Sequence, residues 1–200
     1  MRGMRFWGTT IAVTAALAVS ACSADEPSGA AATTPAAPTS WDITAVDGID
    51  GASREVVDGI GIDVPSGFTA EETGAGDATS QLVLMRDGAE RSEVNLTVTQ
   101  QEDLDDAAVD AAAATAFAQL GATGSVSDLE REQLTWEGFG YAVSVQGVLA
   151  LEDGTEVDVE YVTTRDPEGT RLVAVWTEAP SGELEDSVAH EVRRTVRVDG

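Results

Sequence analysis

Three stretches of the first half of the chain each predict a β-strand, the first and third because apolar residues alternate with polar or small ones and the second because it is an apolar run. The stretches are residues 59–64, 81–86 and 94–98. The first is followed by proline and glycine and the second by Asp87-Gly88, which are sequences typical of tight turns. The first half of the chain is therefore expected to form strands joined by short connections.

The apolar pattern then changes to a helical period. Five apolar or small residues recur with helical spacing: Val109, Ala113, Ala116, Phe117 and Leu120. Asp103 is placed to cap the first turn, and Gly121 is placed to end the helix in a left-handed conformation. We therefore predict a helix between these two residues.

The second half of the chain predicts about four longer strands and a final helix. Alternation resumes after the first helix and passes through Asp153-Gly154, a dipeptide typical of two-residue hairpin turns. A nearly continuous apolar run at residues 172–176 predicts the last strand. We expect the final helix to open at Pro180 and to bury one apolar stripe: Leu184, Val188, Val192 and Val196.

This order of elements predicts the α+β class. The expected architecture is a mainly antiparallel sheet of about six to seven strands with two main helices packed on it. Antiparallel pairing is expected because hairpin-length connections join most neighbouring strands. Residues 54–200 have the length of one domain and show no internal repeat.

The N-terminus has the parts of a secretory signal peptide. Arg2 and Arg5 form a basic start, and residues 11–19 form a short run of apolar and small residues. A run within roughly 7–15 residues is typical of a signal peptide, because a membrane-spanning helix needs about 20 apolar residues. We predict a signal peptide over residues 1–21.

The end of this signal resembles the lipobox of bacterial lipoproteins, with Val19, Ser20 and Ala21 before Cys22. In that family the cysteine thiol is acylated and the chain is cut just before it, so the resemblance implies lipid attachment at Cys22. This residue is the only cysteine, which excludes an internal disulfide. The alternative is a plain signal peptide followed by a stray cysteine.

Residues 22–53 are expected to form a tether between the lipid and the domain. Up to Thr39 the segment has no large apolar side chain, so it cannot bury enough surface to offset the entropy cost of ordering. The pattern of residues 41–53 is compatible with either a linker or an edge element. Trp41 is a candidate residue for docking the tether on the domain.

The chain is strongly acidic, with a formal net charge of −25 and no lysine. Removal of Arg2 and Arg5 with the signal peptide brings the charge of the mature chain to −27. Such a surface repels the phosphate backbone, so nucleic acid is excluded as a partner. It is also expected to stand away from an anionic lipid surface.

Patterns for catalysis and metal binding are missing from the sequence. The single histidine, His190, is accompanied by no second histidine, no lysine and no Gly-x-Ser-x-Gly elbow. Asp103, Asp105, Asp106 and Asp110 suit a helix start, and no EF-hand spacing surrounds them. We therefore expect no catalytic residue, no metal and no cofactor, and predict that the chain is not an enzyme.

One group of aromatic residues has two interpretations. Trp136, Phe139 and Tyr141 lie around Gly138 and Gly140. As members of paired strands they are expected in the core. Because glycines leave room for another molecule, the same three aromatic residues are also the candidate ligand or partner surface.

The segment 62–68, IDVPSGF, and the terminal amphipathic helix resemble the Mog1/PsbP-like fold. Together with the lipobox and the tether, they are most similar to the Lpq-type lipoproteins of actinobacteria, and the resemblance covers roughly residues 55–198. It implies a non-enzymatic accessory or binding protein. It transfers no residue role beyond lipid attachment at Cys22.

We therefore expect an extracytoplasmic lipoprotein, lipid-anchored to the outer face of the cell membrane. Its predicted function is that of a non-catalytic binding or accessory protein for an unknown envelope protein. The alternative is a carrier of an envelope lipid or small apolar ligand in a pocket between sheet and helix, where the small residues of the first helix leave room. A hydrolase is the least supported alternative.

Overall fold

The computed structural model describes residues 40–76, 78–89 and 91–199. The described residues form, in chain order, β1 (Ser53–Val57), β2 (Ile60–Val64), β3 (Phe68–Gly76), β4 (Thr79–Arg86), β5 (Ser92–Gln100), α1 (Asp106–Thr123), β6 (Val126–Trp136), β7 (Gly140–Ala150), β8 (Glu156–Arg165), β9 (Arg171–Pro180), α2 (Val188–Arg193) and β10 (Arg197–Val198). The predicted signal peptide, Cys22 and the tether up to Thr39 lie outside the described residues.

Seven strands form one sheet in the order β3-β4-β5-β9-β8-β7-β6, and all neighbouring pairs are antiparallel. β9 lies between β5 and β8, so it joins the strands that precede α1 to those that follow it. A small second sheet has the order β1-β2-β10. The predicted α+β class, a mainly antiparallel sheet with two helices, is confirmed.

The two faces of the large sheet are covered by different elements. On one face, Leu84 and Leu96 pack in the main core with Ile62 of the small sheet and Val192 of α2. On the other face, α1 packs on β6, β7 and β8. Alternation along each strand decides which side chains enter which core.

The predicted ends of the first helix were wrong by a few residues. The N-cap is Asp105, whose Oδ1 accepts a hydrogen bond of 2.9 Å from the Ala108 N–H, whereas Asp103 has φ 58 before the helix. Gly121 lies inside the helix, and Gly124 ends it with φ 68. An interior glycine costs only about 1 kcal/mol relative to alanine, so packing overrides it and the helix ends at the next glycine.

The predicted start of the final helix was also wrong. β9 continues to Pro180, which pairs with Val157 of β8. Asp158 then holds the following turn, because its carboxylate accepts hydrogen bonds from the Gly182 N–H at 2.7 Å and the Ser181 hydroxyl at 3.2 Å. The helix therefore begins only after the N-cap Ser187.

The sequence is compatible with either a linker or an edge element over residues 41–53; of these, Ser53 begins β1 and the residues before it pack on the domain. Ile43 is buried and forms a parallel bridge with Trp136 at the end of β6. The Asp42 and Ile43 N–H groups both donate to the Thr135 carbonyl, at 3.1 and 3.0 Å. This segment runs beside the last residues of the β6 edge.

Charged side chains connect the small sheet to the C-terminal segment. The Arg54 guanidinium pairs with Asp63 at 2.8 Å and with Asp199 at 2.9 Å, and it also donates to the Thr195 carbonyl. These groups lie across Gly61, where a Cβ atom would clash with both Asp199 and Arg54. A side chain at this point of β2 would therefore displace the paired ends of Arg54 and Asp199.

A buried carboxylate holds the turn between β8 and β9. Asp166 is fully buried and accepts hydrogen bonds from the Thr170 N–H at 2.7 Å, the Arg171 N–H at 2.9 Å and the Arg171 guanidinium at 2.8 Å. Burial by itself would raise the pKa of Asp166. The hydrogen bonds outweigh burial and hold the pKa below its usual 3.8.

We expect the stabilising effect of Asp166 to be complete at neutral pH and to be lost as the pH falls below about 4, because a depressed folded-state pKa favours the folded chain only while the carboxylate is ionised. Urea unfolding of the wild type and of Asp166→Asn, repeated between neutral and acidic pH, tests this. The difference in unfolding free energy should shrink on acidification. A difference that stays constant across that range would contradict the assignment.

Candidate binding surfaces

The three aromatic residues predicted as a candidate surface lie on two different faces of the sheet. Trp136 is fully buried and Phe139 is 5% exposed, and both pack in the main core with ring centroids 5.1 Å apart. Tyr141 packs against α1, and its hydroxyl donates to Asp110 Oδ2 at 2.9 Å. Burial and then this hydrogen bond raise the pKa of Tyr141 to about 12. The structure therefore brings Trp136 and Phe139 together but not Tyr141.

The single histidine lies beside a buried ion pair. Glu160 and Arg193 are each 4% exposed and contact one another between β8 and α2. The Glu160 carboxylate also accepts hydrogen bonds from the Ser144 hydroxyl at 2.9 Å and from Gln146 at 3.3 Å. His190 Nδ1 lies 3.4 Å from the Arg193 guanidinium, which can only donate.

This cluster lacks the parts of a nucleophilic site. Burial, followed by the nearby Arg194, lowers the pKa of His190, so the imidazole is neutral at pH 7. Within residues 91–199, the hydrogen-bond partner of the ring is Arg193 rather than a serine, and the Ser187 hydroxyl donates to the Leu184 carbonyl. The described part of the chain also contains no group of three His, Cys, Asp or Glu side chains placed to hold a metal.

An open cleft of ≈ 470 Å³ lies at the β6 edge and is lined by Glu130, Arg131, Glu132 and Gln146. Gln146 connects it to the ion pair through its hydrogen bond to Glu160. The lining is charged and polar. A cleft of this kind does not suit an acyl chain, which needs an enclosed apolar pocket.

Among the described residues, half of one sheet face is left uncovered by the helices. α1 covers β6, β7 and β8, and among the described residues no other element packs on the same face of β3, β4 and β5. The side chains that alternate with the core residues point to this side. We call this surface the open half-face and define it by Glu71, Thr73, Gln81, Val83, Asn95, Thr97 and Trp176.

Strand register places four of these residues in one row across four strands. Glu71 is opposite Val83, Val83 is opposite Asn95, and Asn95 is opposite Trp176. Three of the four are partly exposed and Glu71 is exposed. The buried Asn95 Oδ1 has no hydrogen-bond partner among the described residues.

Trp176 is held in a defined orientation at the inner end of this row, where it is half-buried and packs against the side chains under α1. Its indole N–H donates to Glu178 Oε1 at 2.8 Å, and the other oxygen of Glu178 pairs with Arg91 at 2.7 Å. A pre-ordered indole with a polar surround is typical of protein interfaces, where tryptophan and arginine are enriched. Sequence reasoning placed Trp176 in a strand but gave it no surface role, because a continuous apolar run does not show which side is covered.

The predicted lipid-attachment residue Cys22 and the lipobox residues Val19, Ser20 and Ala21 lie outside the described residues, so the structure shows nothing of them. Within the described ranges, no helix combines the length and the apolar character needed to cross a membrane.

No protein-family model and no curated protein matches this chain. Several solved structures are similar to this chain. The solution structure of cyanobacterial PsbP (CyanoP) from Synechocystis sp. PCC 6803 is similar over 76% of this chain and 95% of that chain, with 17% identity and a TM-score of 0.52. This likeness shows the fold alone, and it confirms the predicted PsbP-like fold.

Two further structures are less similar. The Ran-binding protein Mog1p of Saccharomyces cerevisiae has 18% identity and a TM-score of 0.43, over 74% of this chain and 95% of that chain. LpqN, involved in cell envelope biogenesis of Mycobacterium tuberculosis, has 13% identity and a TM-score of 0.41, over 76% of this chain and 87% of that chain.

Proposed function

We propose that this chain is a lipoprotein anchored through Cys22 to the outer face of the cell membrane, where it acts as a non-catalytic accessory protein that binds an envelope protein. The observation that carries the binding role is the open half-face, a sheet surface on β3, β4 and β5 that ends at the half-buried, ordered Trp176 beside α1. The anchor rests on the lipobox-like sequence before Cys22.

The shape and chemistry of the open half-face favour a protein over a small ligand. Small molecules bind in concave sites that enclose most of their surface, whereas the open half-face is one side of a sheet. Val83 and Trp176 offer apolar area, and Gln81, Asn95 and Thr97 offer hydrogen bonds around it. Such a mixture is typical of transient protein interfaces.

The small residues of α1 do not support the alternative of a lipid carrier. Ala112 and Ala113 are buried and pack in one cluster with Val143 and Val145 of β7. They bring the helix close to the sheet instead of leaving space for an acyl chain. The described residues therefore favour the accessory role.

In this proposal the lipid anchor and the tether determine where the domain meets its partner. The composition of residues 23–39 predicts a tether of about 17 residues, for which a random coil would have a root-mean-square reach of roughly 20–25 Å and would lift the acidic domain away from the lipid surface. Confinement to the same membrane as the partner raises the effective concentration, so a weak contact suffices.

We expect a photo-crosslinking amino acid at Val83 of the full chain to capture an envelope protein in the host membrane. The matched control places it at Glu152, an exposed residue in the hairpin between β7 and β8, where only background capture is expected. Mass spectrometry of the same sample should find diacyl or triacyl modification of Cys22.

Cys22→Ser completes the test, since it should release the protein from the membrane and reduce capture at Val83. Equal capture from Val83 and Glu152 would argue against the open half-face as the binding surface. Membrane retention of the serine variant, or a mature chain that begins beyond Cys22, would refute the anchor.

A further inference from the structure

β3 is an edge strand, so one side of its backbone has no partner strand. The Asp87 N–H donates to the Gly67 carbonyl at 2.8 Å, which fixes the hydrogen-bonding alternation of the β3–β4 pair. Odd-numbered residues of β3 bond to β4. Ala70, Glu72 and Gly74 therefore direct their N–H and C=O groups away from the sheet.

The opposite edge of the sheet is protected. β6 has a register shift between Ser127 and Glu130, with Asp128 at φ 51, and such bulges interrupt strand pairing. Near its C-terminal end, Asp42 and Ile43 bond to the β6 backbone. The first seven residues of β3 pair with β4 without a register shift. On its outer side the Phe68 N–H donates to the Pro65 carbonyl of the preceding turn, and no described segment bonds to the residues that follow.

The chemistry of β3 indicates what binds there. Its outward N–H and C=O groups match the backbone of another extended chain. Glu71 and Glu72 are exposed on opposite faces of the strand, β3 contains no basic residue, and neither carboxylate has an ion-pair partner among the described residues. A complementary strand would carry arginine or lysine.

Two alternative occupants of the β3 edge, both from this same protein, are disfavoured by charge and composition. A second copy of this chain would oppose Glu71 and Glu72 to an equally acidic β3, and like charges directly opposite are destabilising. The chain's own segment 23–39 has no basic residue and contains three prolines, which cannot donate in a strand ladder.

We propose that the β3 edge receives an extended basic segment of the partner protein as an eighth strand of the sheet. This inference rests on the proposed binding function and deepens it, because β3 is the outer border of the open half-face. The added strand would lie next to Glu71, so the partner would continue from the β3 edge onto the row that leads to Trp176.

The test uses a synthetic peptide of alternating valine and arginine, about nine residues long to match β3. In the isotopically labelled mature chain, the Ala70, Glu72 and Gly74 amides should exchange quickly with solvent and become protected when the peptide is added. The same peptide with a central proline, and a valine–glutamate peptide, serve as controls. Neither control should protect these amides.

Ala70→Pro separates backbone hydrogen bonding at the β3 edge from electrostatic attraction between the acidic domain and the basic peptide. It removes an outward N–H without changing any charge and leaves the bonds to β4 intact, and an edge strand tolerates proline at such a position. We expect it to weaken peptide binding by about tenfold or more. Ala70→Val retains the N–H and is expected to bind like the wild type.

Protection of the three amides, with loss of affinity in Ala70→Pro only, supports the proposal. If the proline variant does not fold, the exchange pattern of the wild type decides. Binding that protects residues elsewhere, or that leaves the β3 amides unprotected, would overturn strand addition. Position-specific crosslinking at Val83 would in that case still support the proposed function.

Discussion

Arg193→Met is expected to lower the free energy of unfolding by about 3–5 kcal/mol, because it leaves the Glu160 carboxylate buried without its cation. Both residues are 4% exposed, so water cannot replace the lost partner without opening the structure. Burial, followed by the neighbouring Arg194, lowers the pKa of Arg193 to about 10, which keeps it charged at neutral pH. Urea unfolding at pH 7 measures the loss.

The double variant Glu160→Gln with Arg193→Met separates the ion pair from simple packing. A neutral amide can keep the hydrogen bonds of Ser144 and Gln146, and methionine fills part of the guanidinium volume. Replacing a whole buried pair is often close to neutral, so the double variant should recover most of the stability. A loss of less than about 1 kcal/mol in Arg193→Met alone would show that the pair is not buried in solution.

Trp136→Ala is expected to destabilise the domain by about 3–5 kcal/mol, as removal of a buried aromatic residue leaves a large cavity. Trp136 is fully buried beside Phe139, and the bridge with Ile43 joins the N-terminal segment at the same place. The variant should therefore loosen residues 40–52 as well. Urea unfolding and proteolysis of that segment provide the two measurements.

Trp136→Phe is the matched control, because it keeps most of the apolar volume and removes an indole N–H that has no hydrogen-bond partner among the described residues. Its loss of stability should be clearly smaller. Trp176→Ala provides a second comparison, since Trp176 is partly exposed on the open half-face. Equal losses from Trp136→Ala and Trp176→Ala would contradict the core position of Trp136.

Strands with strong apolar alternation were predictable, whereas edge strands were not. β5 alternates Val94, Leu96 and Val98 because one of its faces is in the main core, and the sequence predicted it. β3 was missed because all its residues after Phe68 are small, polar or acidic, as an edge strand with one uncovered face permits. β1 was missed for the same reason, since only Val57 of its five residues is buried.

The residues of the candidate surfaces could not be identified from local sequence, because distant parts of the chain form them. Trp136, Phe139 and Tyr141 are close in sequence, yet Trp136 and Phe139 lie in the main core and Tyr141 lies under α1. Conversely, Glu71, Asn95 and Trp176 are far apart in sequence and form one row through strand register. Only the pairing of distant strands creates that row.

By itself, the sequence determined the α+β class, the helical and strand periods, the strongly acidic charge and the lipobox-like segment that predicts an anchor at Cys22. These properties are local or compositional, so a single pass along the chain reveals them. The tertiary structure decided which half of each sheet face is covered, where β9 enters the sheet and that Glu160 meets Arg193. Alternation shows which side chains share a face, but only long-range packing determines what lies on that face and therefore which residues remain free to bind a partner.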